Sequence, residues 1–179
     1  MNKTLLISEV DIKEYSNISD NLAGKYLRPA IYDAQFIDLQ ETIGSTLLKK
    51  LIDLVDNKTI DNPENKAYKE LLEDYVYNFL IYGTMSNLAV ILSYKIANFG
   101  IANTDDDHLT QAEFNQVVYV KDYYKAKQDF YKARIQNYIS DNKKLFNLNS
   151  DDVKANLYSS STSPIFLGGY VGNNSYGNC

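Results

Sequence analysis

Cysteine and histidine are scarce in this chain of 179 residues. The single Cys, Cys179, excludes a disulfide framework and any cysteine-based zinc site. The single His, His108, excludes a multi-histidine metal centre, and no Gly-x-Ser-x-Gly elbow accompanies it to support nucleophilic catalysis. Glycine is too sparse for a phosphate cradle: Gly168-Gly169-Tyr170-Val171-Gly172 lacks the following Lys and helix that such a loop needs. The Glu-x-x-His spacing of di-iron bundles is absent. Asp105-Asp106-Asp107-His108 is the densest run of ligand types, but it lacks the alternating acids, central Gly and distal Glu of a calcium loop. It reads as a solvated acidic loop. Residues 1–8 carry too short an apolar run for a secretory signal. Positive charge is also in short supply, and a formal charge of −5 argues against a protein that coats nucleic acid. These shortages predict a protein with no enzymatic activity, no cofactor and no metal, made in the cytoplasm.

What is abundant is tyrosine, 16 residues against no Trp. Tyr joins an apolar ring to a polar tip and suits half-wet contact surfaces. AT-rich codon usage gives the same excess of Tyr, Asn, Lys and Ile, and the two explanations are compatible.

Helix signals follow one another along the chain. Ser8 and Asp11 form the start of a short helix that reaches about Tyr15. Ser19 is placed to cap the next, whose apolar positions Leu22, Tyr26, Ala30, Phe36, Ile37 and Ile43 recur at helical spacing, with Pro29 marking a kink or a fresh start. Gly44 fits a helix end and Ser45 the cap of a third helix, from Thr46 to about Asp56. Asn62-Pro63-Glu64 opens a fourth. That helix leads into Tyr75–Tyr94, twenty residues without a charge. Its length suits a membrane span. Asn78, Thr84, Ser86, Asn87 and Ser93 interrupt it, however, and no Lys/Arg cluster flanks it, so it reads as a core helix, continuous or broken near Gly83, that stops at Asn98-Phe99-Gly100. Residues 101–109 read as a polar loop. Thr110 and Glu113 make a capping box for a long helix from Gln111 to about Ile139. Two apolar stripes run along it, one of Val117, Val120, Tyr124, Tyr131, Ile135 and Tyr138, the other of Tyr119, Tyr123, Ala126, Phe130 and Ala133. So broad a face is either enclosed or meets another chain; Tyr119, Tyr123 and Phe130 are the candidate subunit contacts. Lys121, Lys125 and Lys132 share a further face with Asp129 between them. The pattern reads as a solvated, self-paired surface, with a weak, salt-dependent DNA-facing stripe as the alternative.

The expected fold class is all-α, a bundle of five or six helices over residues 1–145. Residues 146–179 add a short helical segment and an extended C-terminal arm. Ser159–Cys179 carries no charge in 21 positions and holds half of the glycines. Burying Ile165, Phe166 and Leu167 yields roughly 5–9 kcal/mol in total. Ordering the arm costs roughly 1–2 kcal/mol for each residue. Three anchors cannot order all of it on its own bundle, so Ile165, Phe166, Leu167 and Tyr170 are the candidate docking residues for a neighbour.

The order of features is itself informative. LRPAIYDAQFIDLQETIGSTLLKKL, with its Ala-Gln pair and late Gly, is followed by YKELLEDYVYNFLIYGTMSNLAVILSYKIANFGI and then by the Tyr-rich helix ending ARIQNYI. Over roughly residues 5–145 this resembles the head–tail connector (adaptor, or head-completion) proteins of tailed bacteriophages, in particular the crAss-like phages. The resemblance implies a virion structural protein that forms a homo-oligomeric ring, often twelve-fold, between the portal protein and the next neck or tail component. Genomic DNA would pass non-specifically through its channel, and no membrane is involved. A C-terminal extension commonly engages a neighbouring ring in such proteins. The competing reading is a soluble helical regulatory or binding protein that acts as a monomer or dimer.

Overall fold

The computed structural model describes residues 4–97, 100–103 and 114–146. The fold is an all-α bundle. Its described part contains five helical rods and one short β-hairpin. An irregular segment, residues 4–7, leads into helix α1, Glu9–Tyr15. Ser8 caps it in the expected reciprocal box: the Asp11 N–H donates to the Ser8 hydroxyl and the Ser8 N–H to the Asp11 carboxylate.

The second rod is composite. Helix α2, Gly24–Asp33, passes into a π-helical turn, Ala34–Leu39, and then into α3, Gln40–Ile43. Ser19 heads a turn ahead of this rod, with the Leu22 N–H donating to its carbonyl, and does not cap the helix. Pro29 does not restart the rod, which runs through it inside α2. The widening comes five residues later, at Ala34. A π turn holds an extra residue and re-aims the side chains that follow it. Here it sends Gln35 towards the N-terminal segment and Asp38 towards the last helix. Gly44 stops the rod with φ 81°, a left-handed conformation that suits glycine. Gly44 itself is also the N-cap of α4, Ser45–Asp56, so Ser45 is the first helical residue and not the cap. Leu47, Leu48, Leu51 and Leu54 are buried and Ile52 and Val55 half-buried, while Lys49, Lys50 and Asp53 are exposed.

Pro63–Asn65 forms a single 3₁₀ turn. It continues through α5, Lys66–Glu70, a second π turn, Leu71–Val76, and α6, Tyr77–Ser93, into one rod of 31 residues. The rod does not break at Gly83. It is long and apolar enough to cross a membrane, and half of its most apolar window is buried inside the bundle. It ends at Ser93, earlier than the Asn98-Phe99-Gly100 stop expected from sequence. Strand β1, Tyr94–Ala97, pairs antiparallel with β2, Gly100–Asn103, in the register Tyr94↔Asn103 to Ala97↔Gly100. Tyr94, Ile96 and Ile101 are aromatic or β-branched and favour a pleated strand over another helical turn. Part of the polar loop expected over residues 101–109 is therefore strand.

Helix α7, Phe114–Asp141, has 28 residues and is about 42 Å long. It runs antiparallel to α6, with Tyr75 beside Tyr138, Tyr82 beside Tyr131 and Ser86 bonded to the Lys121 carbonyl. Beyond its end Phe146 is buried against Tyr68 and Tyr138.

Two buried glutamines tie the rods together. Gln35 accepts a hydrogen bond from the Leu6 N–H (2.8 Å) and donates to the Thr4 carbonyl (3.0 Å), which seats the N-terminal segment with Leu6 and Ile7 in the core. Gln128, 1% exposed, donates to Asp38 (2.8 Å) and accepts from Lys125 (2.9 Å). Gly83 makes room for it: a Cβ there would collide with the Gln128 amide and lie 3.2 Å from the Ala34 Cβ.

Candidate interaction surface on helix α7

The 3.6-residue period of an α-helix sorts the side chains of α7 into sectors. The sector on the bundle axis carries Val117, Gln128, Ile135 and Ile139, all buried. Tyr124, Tyr131 and Tyr138 flank it, half-buried and packed on the core. This is the first of the two expected stripes, except that Val120 is exposed. Beyond the tyrosines lies the second stripe, which faces solvent: Tyr119 is 74% exposed, Phe130 59% and Tyr123 49%. Ala126 and Ala133 are exposed with them. The breadth of the aromatic face is thus only half used by the monomer.

Two cations are woven into that exposed sector. The Lys127 ammonium lies 4.3 Å from the centre of the Tyr123 ring, 5.2 Å from that of Tyr82 and 5.9 Å from that of Tyr124. A hydrogen bond with the Tyr123 hydroxyl, and charge interaction with all three phenols, hold its pKa above the ordinary lysine value. Seven residues on, the Arg134 guanidinium lies 5.1–5.7 Å from the ring centres of Tyr75, Tyr131 and Phe130. Cations over ring faces hold the aromatic edges in place while leaving their outer surfaces open.

On the other side of the axis are Lys121, Lys125 and Lys132. The structure brings them onto one flank and pairs each with an acid, Asp122 at 3.2 Å, Asp129 at 3.3 Å and Glu41 at 3.3 Å. Lys125 also serves the Gln128 network. On this flank charge is compensated side chain by side chain.

Where α1 approaches α6 and α7, a groove of about 530 Å³ opens. Ile81 and Met85 form its apolar floor, both nearly inaccessible. Tyr15, Tyr82, Tyr123 and Tyr124 wall it, and Glu14 and Lys127 place one charge of each sign around it. The Tyr124 hydroxyl donates to Asn17 at 2.7 Å and fixes the α1 end of the groove. Below it, Tyr15 meets Tyr77 edge to face. Burial raises the Tyr77 pKa, helped by its hydrogen bond to Asp11, whose own pKa is lowered because that bond and those from Ser8 outweigh burial.

The candidate arm residues Ile165, Phe166, Leu167 and Tyr170 lie outside the described residues, as do His108, the Asp105–Asp107 run and the Thr110–Glu113 box. Among the described residues no group of three or more His, Cys, Asp or Glu is placed to hold a metal ion. Comparison with known protein families places the chain. It belongs to the family of unknown function DUF6712, matched over residues 39–156. The matched span includes α6, α7 and the Gly83–Gln128 contact, whereas α1 and the uncharged segment Ser159–Cys179 lie outside it. No curated protein and no solved structure matches the chain.

The sequence pattern located Tyr119, Tyr123 and Phe130 but missed Lys127 and Arg134, whose seven-residue spacing on the aromatic stripe was the available signal. The contribution of α1 had no such signal, because it comes from the packing of distant segments.

Proposed function

We propose that this chain is a structural ring subunit of a phage neck or tail, which joins the portal to the next component and surrounds the DNA passage without catalysing a reaction. The observation that carries this reading is the solvent-facing aromatic sector of α7. Three large rings on one rigid helix, with cations seated between them, make a preformed contact surface of the composition that protein interfaces favour. The resemblance in helix order to head–tail connectors supplies the setting. The wall of such a channel must not trap a moving polyanion, and a net charge of −5, with Lys121, Lys125 and Lys132 each offset by an acid, suits that task.

Size-exclusion chromatography with light scattering tests the reading, run on the chain alone and with the portal protein of the proposed parent phage. The expected result is a discrete complex of ring mass when the portal is present, even if the isolated chain is monomeric. A chain that stays a monomer or dimer in both samples supports the regulatory or binding alternative. Mass spectrometry of purified particles that lacked this polypeptide would end the proposal.

A further inference from the structure

The groove between α1, α6 and α7 has no occupant from the described residues, and its chemistry limits what fits it. Its floor is aliphatic, its walls are tyrosine with Ser16 and Asn17 at the α1 end, and its two charges, Glu14 and Lys127, are of opposite sign. A volume of about 530 Å³ lies within the range of specific binding pockets, roughly 300–1,000 Å³. A strongly charged peptide gains nothing there, and an uncharged segment with a compact apolar cluster does. Ser159–Cys179 is such a segment, with Ile165, Phe166 and Leu167 consecutive and Tyr170 close behind.

We infer that this groove receives the uncharged C-terminal segment of a second copy of the chain, with Ile165–Leu167 over Ile81 and Met85 and Tyr170 among the rim tyrosines. The inference rests on the assembly reading above. Chain length permits it. Phe146 is anchored by Tyr68 and Tyr138 at the far end of α7. The 19 residues from there to Ile165 span up to about 60 Å, more than the length of α7 and enough to reach an adjoining bundle. The groove adjoins the face on which a partner copy is proposed to seat. Tyr123 belongs both to the groove wall and to the exposed sector of α7. A copy seated on that sector has the rim within reach of its own segment, so docking there would proceed as an intramolecular event at high effective concentration. Each arm then ties one subunit to the next.

The test uses the full chain. Phe166 is replaced by p-benzoyl-phenylalanine in unlabelled protein, which is mixed with uniformly ¹⁵N-labelled chain, irradiated, and mapped by mass spectrometry while light scattering reports the mass. The expected products are heavy–light cross-links at residues 81–85 and 123–127, strongly reduced when the labelled chain carries Glu14→Lys and Tyr15→Ser, which alter the α1 wall of the groove and leave the exposed sector of α7 intact. Those exposed substitutions should leave the melting temperature unchanged. Cross-links confined to the same chain, scattered over the surface without regard to the groove substitutions, or absent altogether would overturn the inference. Oligomers that form without groove cross-links would overturn it while leaving the ring proposal intact.

Discussion

The two flanks of α7 solve the same problem in opposite ways. On one, Lys121, Lys125 and Lys132 reach acids of their own chain, and Gln128 is satisfied at both ends of its amide. On the other, Tyr119, Tyr123 and Phe130 stand in solvent with Lys127 and Arg134 stacked beside them. The first flank is complete within one chain. The second is organised yet uncovered, and water gains nothing from that organisation. The difference supports the proposed contact surface more firmly than exposure alone, since scattered exposed apolar residues are ordinary.

The contrast is broken most severely by removing the open flank. Tyr119→Ser, Tyr123→Ser and Phe130→Ser together should abolish assembly in light scattering, because buried interface tyrosines each contribute about 2 kcal/mol or more at central positions. The melting temperature should scarcely move, and a large fall in it would show that these rings serve the monomer. Deleting residues 159–179 should likewise spare the helical circular dichroism signal and prevent assembly.

Changes inside the closed part should do the reverse. Gln35→Ala leaves the Leu6 N–H and the Thr4 carbonyl without their partner, at about 1–3 kcal/mol for each group that water does not recover. Gly83→Ala gains about 1 kcal/mol of helix propensity. It also meets Gln128 and the Ala34 Cβ, and overpacking of about 1–3 kcal/mol should win, as a net loss in urea denaturation. Thr84→Val tests the same core from the other direction. The Thr84 hydroxyl is fully buried without a hydrogen-bond partner among the described residues, so its removal should stabilise by about 1 kcal/mol. The smallest effect belongs to the paired flank. Lys121→Ala loses only a largely solvent-screened pair with Asp122, about 0.2–1 kcal/mol.

Alkaline titration adds a check on the closed side. Burial first, and then the neighbouring Glu70, push the Tyr138 pKa up to about 12. The unfolded phenol ionises near 10, so stability should hold below that pH and fall as pH rises from about 10 towards 12. Tyr138→Phe should weaken that dependence.

Much of this arrangement was legible in the sequence, for identifiable reasons. Ser8 with Asp11, and Gly44, are local signals that act within one or two turns, and both mark the boundaries where they stand. The uncharged run of Tyr75–Tyr94 marked the core rod because no other segment could be buried so fully. Local reasoning failed where the outcome depends on distant partners. Pro29 sits inside a helix, because packing of Leu27, Ala30 and Ile31 holds α2 together around it. The α6 rod gives way to a hairpin at Tyr94, because strand pairing with Gly100–Asn103 competes with further helix. Gln35 and Gln128 look like solvent-facing residues until the π turn and the bare backbone of Gly83 are known. The exposed stripe of α7 was visible as periodicity, but only the fold could decide which of its two stripes the core would use.

Hydroxyl-radical footprinting of the assembled particle, read by mass spectrometry at Tyr119, Tyr123 and Phe130, tests the central claim most directly. These side chains should be oxidised readily in the isolated chain and strongly protected in the particle. Equal oxidation in the two states would contradict the claim that the open flank of α7 joins one subunit to another.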